Sequence, residues 1–549
     1  MIENPILSLL KQRISSGLSK KSVRTASQWA ERHRVMPSGL WTFKHYPWLK
    51  DMHDSECEHN YGMKSAQMGY TECVLNLVFY NIDTRGMDCL YVLPAKTPDA
   101  KDFSAARFDP ALELSPYLRN LFSDVQNVGH KRAGTSNLYI RGSKSRSGLK
   151  AIPTGFIVLD EVDEMAIENM PLALERSAGQ FKKQAWLIST PTTMKSGIST
   201  YYSTSTQEHF FFRCPCCSRM TELLFPQCLE IIGERSGDPR LKESFYKCKE
   251  CNGKLNHLDK LTWWEHSEWV KGRADSDKRG FHINQMYSPT IPPYNIAEAY
   301  FRSLRDPSAE QELYNSKLGL PHAVSGSQLT DADIAACMES GHKNGQLKEM
   351  GGLITMGIDV GKKFHYEIDQ WFLGDRVGGD DHVNAECRLL EYGAVDHISE
   401  IDQKIEQWNV RTAVIDANPE NRLSLAFCNR HYGRAKRCYY GNGVNGRTIN
   451  YWKEDEHAIT VDRTSWLDSA LGRIRGKMIY LPYDTSQEWR EHLKALIRVY
   501  RKDRDGNPIG RYDHEDNEPD HYAHARNYSE IALSVTLKVG EHGETESPI

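Results

Sequence analysis

The sequence predicts an α/β chain of two successive domains, and three observations predict it. A length of 549 residues exceeds what one hydrophobic core usually serves. Short apolar runs ending in polar turns recur through the first half, at Tyr61–Met63, Cys89–Leu93, Phe156–Leu159 and Ala185–Ile188, with helical stretches between them. The alternation then restarts, with runs at Leu353–Ile358, Tyr366–Phe372, Cys387–Tyr392 and Thr412–Ile415, after a stretch from about Val324 to Gly351 that reads as a connector.

The composition, 39% hydrophobic and 26% charged, is that of ordinary globular protein. No run of about 18 apolar residues exists, so no membrane span is expected. The opening MIENPILSLLKQRISSG lacks the layout of a secretion signal, so a cytosolic location is expected. A net charge of -4 does not announce a polyanion binder. Contact with nucleic acid would need local basic patches, of which Lys21–Arg34, Arg141–Lys150 and Arg498–Arg511 are the clearest. Any one of them alone reads as a solvated face.

The first chemistry-bearing segment is Gly62-Met-Lys64-Ser65-Ala-Gln67-Met-Gly69-Tyr70-Thr71-Glu72. It follows a short strand and precedes a helix-like run, Thr71–Ile82, where loop amides and a helix N-terminus converge on an anion. Aligned on Thr71 against G-x-x-x-x-G-K-[ST], it has Gly69 in the second glycine slot, Tyr70 in the lysine slot and Lys64 in the first glycine slot. Lys64, Ser65, Gly69, Tyr70 and Thr71 are thus expected around the phosphates of ATP, with Lys64 reaching them from the front of the loop and Thr71 ligating Mg²⁺. Alone the match is weak. A second strand, Phe156-Ile-Val-Leu-Asp160-Glu161, ends in two acids, Asp160 to hold Mg²⁺ through water and Glu161 to polarise the attacking water. A third, Ala185–Pro191, ends in Ser189 and Thr190, hydroxyls suited to sensing the γ-phosphate. Together the three predict a P-loop NTPase domain.

At Lys64–Glu72, Asp160–Met165 and Ser189–Pro191 the chain resembles the large terminase subunits of tailed bacteriophages, lambda type, a family that carries its lysine at the front of the loop. The stretches Trp29–His33 and Tyr46–Pro47 resemble the family's region near the adenine, which makes Tyr46 the stacking candidate. Some members have an arginine where Gln67 stands here, so an arginine finger must come from elsewhere; Arg141 and Arg146 are the candidates.

Cys214-Pro-Cys216-Cys217 and Cys248-Lys-Glu-Cys251 form two paired-cysteine turns among thirteen otherwise scattered cysteines. Cys214, Cys217, Cys248 and Cys251 are assigned to a closed, structural Zn²⁺ site, a zinc ribbon, with Cys216 spare and a swap with Cys214 or Cys217 left open.

Downstream, Asp359 and Asp416 each end an apolar strand, and Asp520 opens a helical stretch. Three carboxylates on separate elements suit two divalent ions, Mg²⁺ or Mn²⁺, as in an RNase H-like nuclease. Asp513 and Asp516 are alternatives for the third, and His521 and His524 candidates for orienting water or a ligand. Between the last two acids, Arg498–Arg511 reads as a basic hairpin turning at Asp505-Gly506. Arg463, Arg501, Lys502, Arg504 and Arg511 are the DNA-contact candidates.

The expected organisation is a P-loop packaging ATPase over residues 1–323 with the zinc-ribbon insertion at about 208–270, a linker at 324–350, the RNase H-like nuclease at 351–540 and a flexible tail at 541–549. The resemblance implies ATP-driven translocation of double-stranded DNA into a procapsid, metal-dependent cutting of concatemers, and action in the host cytoplasm. It also implies a small terminase subunit and a portal protein as partners, and assembly as a homo-oligomeric ring. Two other readings stay open: a helicase-like repair ATPase with an accessory nuclease, and a non-catalytic zinc-ribbon scaffold that binds DNA.

Overall fold

The computed structural model describes residues 24–123, 125–150, 152–324, 326–347, 349–373, 385–441, 444, 446–502, 508–514 and 518–537. The chain divides into two compact units, Met1–His322 and Ala323–Ile549. Among the described residues no helix is long and apolar enough to cross a membrane.

The first unit is built on one sheet. Its core is seven parallel strands: β1 (His59–Lys64), β2 (Cys89–Leu93), β3 (Ser136–Gly142), β4 (Phe156–Asp160), β5 (Gln184–Ser189), β6 (Glu208–Arg213) and β7 (Arg279–Ile283). They lie in the order β6-β7-β1-β5-β4-β2-β3, extended at both edges by antiparallel strands. The inner strands β2, β4 and β5 are buried along their whole length because both faces are covered, whereas β3 and β6 nearer the edges alternate. Tyr91, Val158 and Trp186 enter one core with the helix α1 (Tyr70–Tyr80), whereas Leu90, Ile157 and Leu187 enter another with Met170, Ile198 and Tyr202. The period of two thus splits each strand between two cores.

The cysteine-rich segment is rooted in this sheet rather than appended to it. Its first strand is β6 itself, and Ser267–Lys271 pairs antiparallel with β6. Between them, Leu229–Glu230, Phe245–Lys247 and Lys254–Leu255 make a separate three-stranded sheet.

The second unit carries a mixed sheet. Strands β8 (Leu353–Val360), β9 (Phe364–Phe372) and β10 (Glu386–Val395) pair antiparallel. On the other side of β8, β11 (Thr412–Asp416), β12 (Ala435–Tyr440) and β13 (Ala458–Val461) follow in parallel. Two helices matter for the site, α2 (Arg463–Arg475) and α3 (His521–Leu537). The hairpin β14 (Leu496–Lys502) and β15 (Pro508–His514) lies on separate hydrogen bonds, with Lys502 opposite Pro508.

The stretch 324–350, expected as a linker, is part of this second unit. Asp331–Ala335 is a helix closed by a reciprocal Thr330–Asp333 capping box. Met338–Glu339 pairs with Ile479–Pro482 at the sheet edge, and Ile334 and Cys337 are buried. The Thr-x-x-Asp spacing was the local signal for that helix. The tail at 541–549 lies outside the described residues.

Candidate functional site

β1 ends at Lys64, and the loop Ser65–Gly69 leads into α1. Gly69 sits at φ +84°, a conformation that suits glycine, and a side chain there would meet Leu49 Cδ1 at 2.8 Å. The front of the loop is fastened: the amides of Ser65 and Ala66 donate to the carbonyls of Ile283 (3.1 Å) and Ser316 (2.7 Å). Among the described residues no backbone acceptor meets the amides of Gln67 to Thr71, which leaves them free for an anion at the helix start.

Across the loop, Lys64 Nζ donates to Glu161 Oε1 at 2.8 Å. Thr71 Oγ1 and the Tyr91 hydroxyl both donate to Asp160 Oδ2, at 3.1 and 2.7 Å. Asp160 Oδ1 is buried without a partner. Burial, then the neighbouring Glu161 charge, pushes the Asp160 carboxyl up to about 6. Burial alone would lower Lys64, but the charges of Glu161 and Asp160 outweigh it and raise its pKa. Lys64, Thr71 and Glu161 line a cavity of about 600 Å³ together with Tyr46, Gly69 and Thr190, and Asp160 sits behind Thr71.

Two expected residues stand differently. Tyr70, in the usual lysine slot, turns its ring into the core across β1; a Cβ on Gly62 would meet it at 2.7 Å. It lines the cavity at the helix start all the same. Ser65 is fully buried, its amide spent on Ile283 and its hydroxyl unpartnered, and it does not line the cavity.

Neither arginine-finger candidate lines the cavity. Arg141 ends β3, four strands from β1 and so roughly 19 Å away across the sheet. It donates to the carbonyls of Gly129, Ile140 and Gly148. Arg146 is exposed. The arginine that does line the cavity is Arg107, paired with Glu72 Oε1 at 3.0 Å, while buried Arg34 holds Oε2 of the same carboxylate at 2.7 Å. Nothing in the run Ser-Ala-Ala-Arg-Phe marks Arg107 from sequence. Asp163 was also missed: it accepts the amides of Thr192 and Ile198, both at 2.8 Å, and so fixes the segment after Thr190. Burial pushes its carboxyl up to about 7.

The cysteine turns match each other bond for bond. Ser218 N donates to Cys214 O as Asn252 N does to Cys248 O, both at 2.9 Å, and both donors have positive φ. Amides of Cys216 and Glu250 point at Cys214 Sγ and Cys248 Sγ, each at 3.3 Å. The Sγ atoms of Cys214, Cys217, Cys248 and Cys251 all lie within 4.8 Å of one another. Cys216 is exposed and stands outside that set.

In the second unit, Ile358 of β8 pairs with Ile415 of β11, so Asp359 and Asp416 end neighbouring parallel strands. Burial, with Asp359 as a further charge, pushes Asp416 up to about 6. Asp520 caps α3, its carbonyl accepting the amides of Ala523 and His524. Its carboxylate turns to His524 Nε2 at 3.3 Å. Burial opposes its charge, yet His524, His514 and Arg463 hold Asp520 well below the usual carboxylate range. The group whose donor atoms converge within 4.8 Å is therefore Asp359, His365 and His521, and not the three expected carboxylates. Asp513 lies on the hairpin strand β15, and Asp516 lies outside the described residues.

Beside this site a polar cavity of about 860 Å³ is lined by Arg463, Arg498, Arg511 and Asp513. Arg463 donates to the Tyr512 carbonyl at 2.7 Å, and Arg498 pairs with Asp468 at 2.8 Å. Arg504 and the side chains of Arg501 and Lys502 lie outside the described residues.

Two family models match the chain: phage terminase large subunit gpA, ATPase domain, over residues 36–269, and terminase large subunit gpA, endonuclease domain, over residues 278–538. The terminase large subunit of Enterobacteria phage P21 is 22% identical over 54% of this chain and 52% of its own length. That of Escherichia phage lambda is 21% identical over 68% of this chain and 64% of its own. The chain thus spans between about half and two thirds of the length of these relatives. Among solved structures, the large terminase of bacteriophage HK97 matches with a TM-score of 0.46 and 9% identity, covering 92% of this chain and 99% of that one.

Proposed function

We propose that this chain, which belongs to the gpA family of phage terminase large subunits and carries both its ATPase and its endonuclease domain, is an ATP-driven DNA-packaging motor that also cuts DNA. The observation that carries the reading is the meeting of Lys64, Thr71 and Glu161 at one cavity whose helix-start amides are free, with Asp160 hydrogen-bonded to Thr71 behind it.

ATP and Mg²⁺ fit that cavity. The partnerless, buried Asp160 Oδ1 beside the Thr71 hydroxyl suits a cation. Lys64 and the amides of Gln67 to Thr71 would hold the phosphates, Tyr46 would face the base, and Glu161 would orient the attacking water. Bound Mg²⁺ neutralises charge on the β- and γ-phosphates. Thr190, held in line by Asp163, would sense the γ-phosphate. Arg141 and Arg146 act in this reading only on a neighbouring subunit of a ring, whereas Arg107 acts within the subunit.

The matched turns support structural Zn²⁺ at Cys214, Cys217, Cys248 and Cys251: regular tetrahedral bonds of 2.3 Å place sulfurs about 3.8 Å apart, and Cys214 and Cys251 stand 4.0 Å apart. An RNase H-like nuclease reading of the second unit is supported by Asp359 and Asp416 on adjacent strand ends, with a divalent ion there activating water. Arg463 and Arg511, with the backbone of the β14–β15 hairpin, would guide the phosphate backbone of double-stranded DNA. The mixed sheet of the second unit speaks against a second motor lobe, and so against a helicase. A small terminase subunit, a portal and the host cytoplasm complete the proposal.

Supercoiled plasmid incubated with Mg²⁺ or Mn²⁺ tests it. Cutting by the wild type and none by Asp359→Ala, with DNA-stimulated ATP hydrolysis in both, is the expected result. Hydrolysis with no cutting, even with a small terminase subunit added, would overturn the nuclease half.

A further inference from the structure

Helix α3 lies on β8 in a fixed step. Thr355 Oγ1 meets the Ser529 carbonyl at 3.1 Å, a Cβ on Gly357 would strike Ala525 O at 1.9 Å, and Asp359 Oδ2 meets His521 Nδ1 at 2.8 Å. Two strand residues advance about 6.6 Å and four helix residues about 6 Å, so the two periods stay matched along the contact. The bare backbone of Gly357 lets the helix close down, and the next step delivers His521 onto Asp359.

A second imidazole reaches the same point by strand pairing. His365 stands directly opposite Asp359 in the β8–β9 register. Its ring stacks on His521, with centroids 4.5 Å apart and planes at 11°. His365 is only 7% exposed, its Nδ1 has no hydrogen-bond partner, and one nitrogen of its ring lies within 4.8 Å of ligand atoms of Asp359 and His521.

We propose that His365 and His521 are, with Asp359, direct ligands of a divalent ion, so that the nuclease centre is a mixed nitrogen–oxygen site that prefers a transition ion such as Mn²⁺ to Mg²⁺. The proposal rests on the nuclease reading. An octahedral ion with bonds of 2.0–2.1 Å places neighbouring ligands about 3 Å apart, close to the 2.8 Å between Asp359 Oδ2 and His521 Nδ1. The ion would replace the proton those two atoms share. Imidazole suits first-row transition ions, and those after Mn²⁺ in the affinity order most, whereas Mg²⁺ favours an all-oxygen shell. Two imidazoles and one carboxylate leave positions open for water and a phosphate oxygen. Asp520, turned to His524, supplies no ligand.

Mn²⁺ titration of the full chain followed by electron paramagnetic resonance, with pulsed detection of ¹⁴N, tests the assignment. The wild type should show nitrogen coupled directly to Mn²⁺. His521→Ala, at a part-exposed helix start and checked for folding by its thermal melt, should lose part of that coupling and bind Mn²⁺ at least ~10-fold more weakly. His365→Gln should lose the rest, and Asp520→Asn should keep the nitrogen coupling. Mn²⁺ bound without nitrogen coupling, or with unchanged affinity in His521→Ala, overturns the assignment. DNA cutting that persists alongside that result would leave the nuclease reading standing. Nitrogen-coupled Mn²⁺ in a chain that cuts no DNA would support the ligands and sink the nuclease reading instead.

Discussion

At the cavity proposed for ATP, the four groups assigned to it come from two short stretches, Lys64–Thr71 and Asp160–Glu161, each at the end of a parallel strand. Around Asp359, each group comes from a different element: Asp359 from β8, His365 from β9, Asp416 from β11 and His521 from α3. A strand-end loop keeps its chemistry contiguous, since the sheet itself aims every parallel strand at one edge. An antiparallel pair and a docked helix collect side chains that only register brings together.

The comparison breaks most sharply if the two sites do not separate. Lys64→Ala should lower ATP turnover ~10²–10³-fold or more and leave plasmid cutting intact, while Asp359→Asn does the reverse. Phosphate release and plasmid nicking, measured on both variants, decide it, and loss of both activities in either folded variant would falsify the two-site division. Next in size is the thiolate cluster. Cys217→Ser should lose bound zinc and melt at a markedly lower temperature, because structural zinc is linked to folding, while Cys216→Ser keeps its zinc. Metal analysis with thermal melts checks it, and the reverse pattern would reassign the spare cysteine.

A smaller effect is expected at Arg107. Arg107→Ala should reduce ATP turnover about tenfold with cutting unchanged, and an unaltered rate would return the search to a neighbouring subunit's Arg141 or Arg146. The smallest is a pH slope. Asp163 has its folded pKa raised from 3.8 to about 7 by burial. Its contribution to stability is therefore fully present below about 4 and is lost as pH rises through 7. Thermal melts from pH 4 to 7 should flatten in Asp163→Asn relative to the wild type.

The two sites were also unequally legible. The phosphate loop and the Asp160–Glu161 strand end could be read because their spacing along the chain is their spacing in space. Tyr70 and Ser65 mark the limit of that reading: a slot in a motif says where the backbone goes, but Gly62 and the Ile283 carbonyl decide how those residues are packed. Arg107 carried no signal, since its place beside Glu72 depends on tertiary packing. Asp359 and Asp416 were readable as strand ends. The place of His365 was not, since no local pattern states which residue of β9 faces Asp359. The stretch at 324–350 looked like a connector because its helix is a single short turn, betrayed only by Thr330 and Asp333.

The matched cysteine turns have a consequence for how this chain tolerates change. Cys217 and Cys248 bring together the two ends of the excursion 218–247 at one point, whatever its contour. Once its ends are fastened, doubling such an excursion costs about 0.6 kcal/mol, no more than a typical hydrogen bond contributes. At its turn, Gly237 sits at φ +77° with open space where a side chain would go. That makes the excursion a natural grafting port, where a fluorescent tag or an affinity loop can be spliced in without disturbing β6 or the sheet that carries the phosphate loop.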